Sequence, residues 1–194
     1  MRVVVGLGNP GRKYARTRHN VGFEVIDNLS HRWNIPAEGK QLGSLVGAGR
    51  IGDSKVLLAR PQSFMNRSGQ PVRSLMGYFK ATAEDVVVVH DDLDLPFGRV
   101  QLKKGGGHGG HNGLRDLNKH VGAEYIRVRV GVGRPPEGWD VADYVLGKWT
   151  DTETSQVDDV VGDACDAVEA ILRDGLEAAM NTFNVRRTAD IPRC

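Results

Sequence analysis

The chain has 194 residues, 40% of them apolar and 26% charged, enough for one buried core and with no run near the roughly 18 apolar residues of a membrane span. Its two cysteines, Cys165 and Cys194, exclude a disulfide framework and a cysteine-based metal site and suit a reducing, cytoplasmic setting. The net charge of +2 hides a split: residues 1–80 hold 13 Lys/Arg against 4 Asp/Glu, residues 99–134 hold 8 against 2, and residues 151–177 hold 1 against 9. Such a balance is either a solvated face or one side built for an anionic ligand, nucleic acid included.

Residues 2–6 predict a buried strand that runs into GLGNPG, with Gly6, Gly8 and Gly11 at the G-x-G-x-x-G spacing. A dinucleotide turn needs a helix opening on those glycines and an acidic residue ending the next strand. Here helical spacing starts only near residue 20, with Val21, Val25, Ile26, Leu29 and Trp33, while Pro10 stiffens the loop and Asp27 falls inside the helix. NAD is not expected. Residues 43–50 and 55–60 read as a strand pair around Gly52-Asp53, and Val72, Leu75, Met76 and Phe79 as a helix with Pro71 in its first turn. VVVVH (86–90) predicts a central strand, 97–102 and 125–132 two more, and 113–120 a helix between them. Helices are expected over 139–147 and along the stripe Val157, Val160, Val161, Ala164, Val168, Ile171, with Cys165 on its apolar side. The pattern predicts an α/β fold: a single three-layer domain over 1–194, a mixed twisted β-sheet flanked by helices.

Polar residues gather past the strand ends: Asn9, then Tyr14 to Asn20, then Phe64 to Asn66, then HDDLD (90–94), then GGGHGGHNG (105–113). Clefts form at the carboxyl ends of strands in open α/β sheets, so these segments are candidates to converge. Y-x-x-T-R-H-N-x-G at 14–22 and G-G-H-N-G-L-R-D at 109–116, with GLGNPG, SFMNRSG (63–69) and HDDLDLPFG (90–98), resemble the bacterial peptidyl-tRNA hydrolase family. The likeness runs in order from residue 1 to about 183.

That resemblance implies hydrolysis of the ester between a peptide and the 3′ end of tRNA, by a cytoplasmic monomer without metal or cofactor, obligatory protein partner or membrane attachment. By motif, His19 corresponds to the catalytic base and Asp91 to the carboxylate orienting it. Asn66 and Asn112 correspond to asparagines that hold the substrate, Tyr14 and Phe64 to the lining for the tRNA end, and Asn9 to the position that tells a blocked amino group from a free one. Lys103, Lys104, Arg115, Arg129 and Arg134 stand where the family clamps tRNA phosphates, although Gln101 replaces a residue that is basic in some relatives. Segment 137–150 matches a mobile lid, with Val141, Val145 and Leu146 as hydrophobic cover, and 184–194 is a short tail.

The chemistry agrees with the motif roles. A histidine with a pKa of about 6.5 accepts a proton from water near neutral pH, and an aspartate on its other nitrogen sets the tautomer. Carboxamides donate to a developing oxyanion and pair with a peptide backbone, the one feature common to all such substrates. Competing readings remain open at this point. Asn66 alternatively caps the following helix, and the glycines of 105–110 serve a mobile turn as well as a close nucleic-acid backbone. His90, Asp91, Asp94, His108 and His111 form a metal-ligand set on paper. A non-catalytic RNA-binding relative, as in a chloroplast intron-splicing factor, is the alternative from another class.

Overall fold

The computed structural model describes residues 1–185. Seven strands are β1 (Arg2–Gly6), β2 (Gly39–Gln41), β3 (Ser44–Ile51), β4 (Ser54–Pro61), β5 (Val86–Asp92), β6 (Val100–Lys104) and β7 (Ile126–Gly131). Six helices are α1 (Val21–Arg32), α2 (Gly69–Phe79), α3 (Asn112–Val121), α4 (Val141–Leu146), α5 (Asp151–Asp174) and α6 (Leu176–Phe183). The sheet runs β2-β3-β4-β1-β5-β7-β6, with β4, β1, β5 and β7 parallel and β2, β3 and β6 antiparallel to their neighbours.

The central strands are apolar on both faces because helices cover both. Val4, Val87 and Val89 point into a core shared with α1 and α5, while Val3, Val5, Val86 and Val88 meet Val72 and Leu75 of α2 and Leu114 and Leu117 of α3. The expected mixed three-layer sheet is therefore what forms. Cys165 is fully buried under α1, and that burial pushes its thiol up to about 12, out of reach of redox chemistry. Among the described residues no helix is long and apolar enough to cross a membrane.

The glycine run after β1 serves packing. A side chain at Gly6 would strike the Gly22 carbonyl oxygen at 2.1 Å, and one at Gly22 would meet the Leu7 nitrogen and the Val89 oxygen at 2.5 Å. The two glycines let α1 lie directly on β1 and β5, which brings the start of α1 over the carboxyl ends of both strands.

Boundaries differ from the expectation by one to three residues, and one strand, β2, was not expected. β5 continues through Asp91 and Asp92, so the aspartates end the strand instead of following it; it stops where the Asp94 N–H donates to Asp92 Oδ1 at 2.9 Å, a local turn. β6 begins three residues late, at Val100. β2, only three residues long and polar, carries no period to read. The chain is still fastened at 184–185: Asn184 Oδ1 accepts from the Leu102 N–H (2.7 Å), its Nδ2 donates to the Leu102 carbonyl (2.8 Å), and Arg99 donates to the carbonyls of Asn184 and Val185. The rest of the expected tail, 186–194 with Cys194, lies outside the described residues.

Candidate active site

β1 and β5 deliver their carboxyl ends to one cleft of about 570 Å³, lined among others by Asn9, Tyr14, His19, Asn66, Asp91 and Asn112. Thus every polar segment singled out in the sequence meets there. Phe64 alone of the expected lining stands at the rim, 54% exposed, with its ring edge-on to Tyr14 at 6.4 Å.

His19 sits in a tight turn (Arg18–Asn20) that runs straight into α1, which aims its ring at the end of β5. Its Nδ1 lies 3.0 and 2.9 Å from the two oxygens of Asp91, a residue 2% exposed. Burial favours the protonated carboxyl, but the His19 and His111 rings outweigh it and hold Asp91 well below the usual carboxylate range. Burial likewise opposes a charged His19, and the Asp91 carboxylate overcomes it, so His19 titrates above its ordinary value. With Asp91 ionised, Nδ1–H must donate, and the lone pair is left on Nε2.

Sequence reasoning missed His111 as a partner. Its Nε2 lies 2.8 Å from Asp91 Oδ1, while its Nδ1 accepts the N–H groups of Gly113 (3.1 Å) and Leu114 (3.3 Å) as the N-cap of α3. A nitrogen facing two N–H donors carries no proton, so Nε2–H donates to the carboxylate. The only signal was position: H-N-G just before a helix, at a cap site where Ser, Thr, Asp or Asn is the usual choice.

This bears on the metal reading. His19, Asp91 and His111 offer ligand atoms within 4.8 Å of one another. A histidine bound to metal through Nε2 presents Nδ1–H to an acceptor, yet Nδ1 of His111 faces two donors, so the trio is built for hydrogen bonds. His108, instead of converging with His111, accepts the Gly110 N–H through Nδ1 at 3.0 Å. His90, buried with Nδ1 on the Asp91 carbonyl (2.8 Å), is pushed down to about 4 by burial and by His111. It is neutral near pH 7.

The carboxamides are oriented as donors. Asn20 grips the main chain of Asn9 at both N–H (2.8 Å) and carbonyl (2.9 Å), another contribution the sequence did not reveal. Asn9 Oδ1 accepts the Met65 N–H at 2.7 Å, which leaves its Nδ2 as the free end. Asn112 Oδ1 accepts from Arg115 Nη1 at 3.0 Å, with the same result. Asn66 does not cap α2, whose N-cap is Ser68, with its hydroxyl turned back to the Met65 carbonyl (2.8 Å); Asn66 lies exposed on the cleft wall.

The basic residues divide. Lys103 and Arg115 are exposed, Lys104 reaches Glu84 at 2.7 Å, and Arg134 pairs with Asp94. Arg129 is committed: Nε donates to Asp92 Oδ2 at 2.8 Å and Nη1 to Gln101. Arg127, not among the expected phosphate contacts, is 3% exposed and donates to the carbonyls of Gly106 and Gly107, shaping the glycine loop. In the expected lid, Val141 and Leu146 are 46% and 40% exposed, but Val145 belongs to the core with Tyr144. Expecting Val145 to be cover apart from permanent core is corrected: Arg18 anchors that end of α4. Its guanidinium stacks 4.2 Å from the Tyr144 ring centre, donates to the carbonyls of Tyr144 and Lys148 and pairs with Glu153 at 2.7 Å.

The family model described as "Peptidyl-tRNA hydrolase" matches residues 3–191. A peptidyl-tRNA hydrolase of Anaeromyxobacter dehalogenans is 50% identical over 192 residues, covering 98% of this chain and 100% of the relative. That of Bacillus subtilis is 45% identical over 187 residues, 96% and 100%. The crystal structure of the enzyme from Acinetobacter baumannii superposes with a TM-score of 0.90 at 38% identity, covering 96% of each chain. Motifs, fold and full-length likeness agree, and the chain belongs to the peptidyl-tRNA hydrolase family.

Proposed function

We propose that this protein hydrolyses the ester of peptidyl-tRNA, releasing tRNA and peptide, with His19 as the general base. The observation that carries the reading is the buried His19–Asp91 pair, which spends Nδ1 on the carboxylate and leaves Nε2 as the proton acceptor in a cleft walled by carboxamides. Water bound at Nε2 gives up its proton as its oxygen attacks the ester carbonyl; the imidazolium that forms is stabilised by Asp91 and then protonates the departing ribose oxygen. Asn66 and Asn112 supply donors to the oxyanion and the adjoining peptide.

Asn9 acts through its Nδ2–H. A donor at that point recognises a carbonyl, which an N-acyl group provides and a free ammonium group lacks, so the unblocked substrate leaves the amide unpaired beside a like-natured donor. Tyr14 and Phe64 form an aromatic edge for the unpaired 3′ bases, which stack on such surfaces. Lys103 and Arg115, exposed beside the glycine loop, meet tRNA phosphates; Lys104, Arg129 and Arg134 join them by exchanging their present carboxylate or amide partners. The α4 segment within 137–150 acts as a lid hinged at the Arg18 anchor. The protein works as a cytoplasmic monomer, with tRNA as its partner.

The test is release of peptide from N-acetyl-aminoacyl-tRNA compared with the unacetylated form. The wild type is expected to cleave the first and largely spare the second, and His19→Ala to lose turnover by roughly 10³-fold or more, the range of a missing general base in a dyad. Equal cleavage of both substrates, or an active His19→Ala, overturns the reading.

A further inference from the structure

We propose that His111 is a positioning residue for the hydrolysis: it holds the Asp91 carboxylate in the orientation that His19 requires and ties it to the first turn of α3. Among the described residues, the hydrogen bonds to that carboxylate come from two rings only, His19 and His111. Without His111 the carboxylate would be oriented solely by the base it is meant to orient. His111 is itself rigid. Its Nδ1 is locked by the Gly113 and Leu114 N–H groups, its main chain bridges from the His108 carbonyl to the Arg115 N–H, and its side chain is 10% exposed.

The coupling runs both ways. A proton at Nδ1 would break the α3 cap, so the cap keeps the ring in the one tautomer that donates to Asp91. That donation in turn draws charge from the oxygen shared with His19 and limits how strongly Asp91 holds the imidazolium. Of the other titratable groups lining the cleft, His90 and Asp92 come from β5, Asp94 and Arg134 from the loops past β5 and β7, His108 from the glycine loop, Tyr14 from the first loop and Asp140 from the start of α4. Asp92 and Asp94 are held by Arg129 and Arg134.

Two substitutions separate a positioning role from a structural one. In His111→Asn a short carboxamide replaces Nδ1 and still caps α3, but no donor reaches Asp91. In His111→Gln the longer carboxamide reaches Asp91 but caps poorly. The inference rests on His19 as base, so His19→Ala is assayed alongside, on N-acetyl-aminoacyl-tRNA. His111→Asn is expected to keep a wild-type melting temperature and KM, to lose roughly 10- to 100-fold in kcat, the cost of a misplaced catalytic group, and to move the acid limb of kcat/KM up by roughly half a pH unit, because Asp91 then serves His19 alone. His111→Gln is expected to melt lower yet lose less kcat and return the limb towards the wild-type position. A His111→Asn enzyme with wild-type kcat and limb, or losses in both variants that merely follow melting temperature, would overturn this inference while an inactive His19→Ala leaves the base assignment standing. An active His19→Ala would overturn both.

Discussion

A carboxylate with two imidazole donors and 2% exposure has little freedom in how it responds to pH. The native state holds His19 above its ordinary value through Asp91, so the raised group stabilises the fold fully below pH about 6.5, and that stabilisation fades as pH rises through the native value. With His19 as the proposed base, activity requires the neutral ring and is expected to move the other way: the acid limb of kcat/KM for the wild type should lie above pH about 6.5. Asp91→Asn removes the charge that opposes burial, and burial alone lowers a histidine. The variant is expected to lose up to about 10⁴ in kcat, the cost of neutralising the aspartate of a triad, and to show its limb below the wild-type one. A pH–rate profile of both proteins checks the direction; a limb that moves up contradicts the electrostatic account. The convergence of His19, Asp91 and the three asparagines on one cleft was legible because each stands in a motif past a strand end. His111 and Asn20 were not, because a histidine cap and an asparagine clamp on a main chain leave no period or charge pattern to read.

At the scale of elements, the glycine fingerprint shows how one spacing serves two architectures. In a dinucleotide fold the glycines make room for a phosphate; here Gly6 makes room for Gly22, and the helix begins ten residues after Gly11. Gly22→Ala tests this with opposed effects of known size. Helix propensity favours alanine by about 1 kcal/mol, whereas a methyl group 2.5 Å from the Leu7 nitrogen and the Val89 oxygen forces two strands and a helix apart, at a cost of about 3 kcal/mol. Net destabilisation of about 2 kcal/mol is expected in urea unfolding, with activity falling as His19 is displaced from Asp91; a more stable variant would mean that α1 is free to shift. Helix positions were readable from the apolar spacing of Val21 to Leu29 and Val157 to Ile171. Strand ends were not. The aspartates that extend β5 are poor strand formers, and they are held in the ladder by β7 and by Arg129, which only tertiary structure supplies.

Over the whole molecule, the charge split read from composition reappears as geography. Of the basic residues of 99–134, Arg134 lines the cleft and Lys103 and Arg127 stand at the glycine loop, while the acidic helix α5 packs in the core on the α1 side of the sheet. A tRNA gripped by about three phosphate contacts should show kcat/KM falling roughly 20- to 40-fold between about 50 and about 200 mM monovalent salt. The fall should sit in KM, and Lys103→Glu with Arg115→Glu should flatten the slope; a salt-independent KM would remove the phosphate grip from these residues. The fold class followed from alternating strand and helix patterns, but the commitment of Arg129 to Asp92 and Gln101 did not, since a sequence counts charges without saying which are already matched.

One further property follows from Asn184. The sheet has two open sides, one a stub of three residues, β2, and the other the longer β6, where a free main chain would invite a neighbouring molecule to add a strand. The Asn184 carboxamide imitates such a strand with a single side chain, filling the donor and acceptor of Leu102 at once. A neighbouring strand therefore finds the outward-facing groups of Leu102, at the middle of β6, already taken, so Asn184 fastens the end of the described chain and closes that point of the sheet edge together.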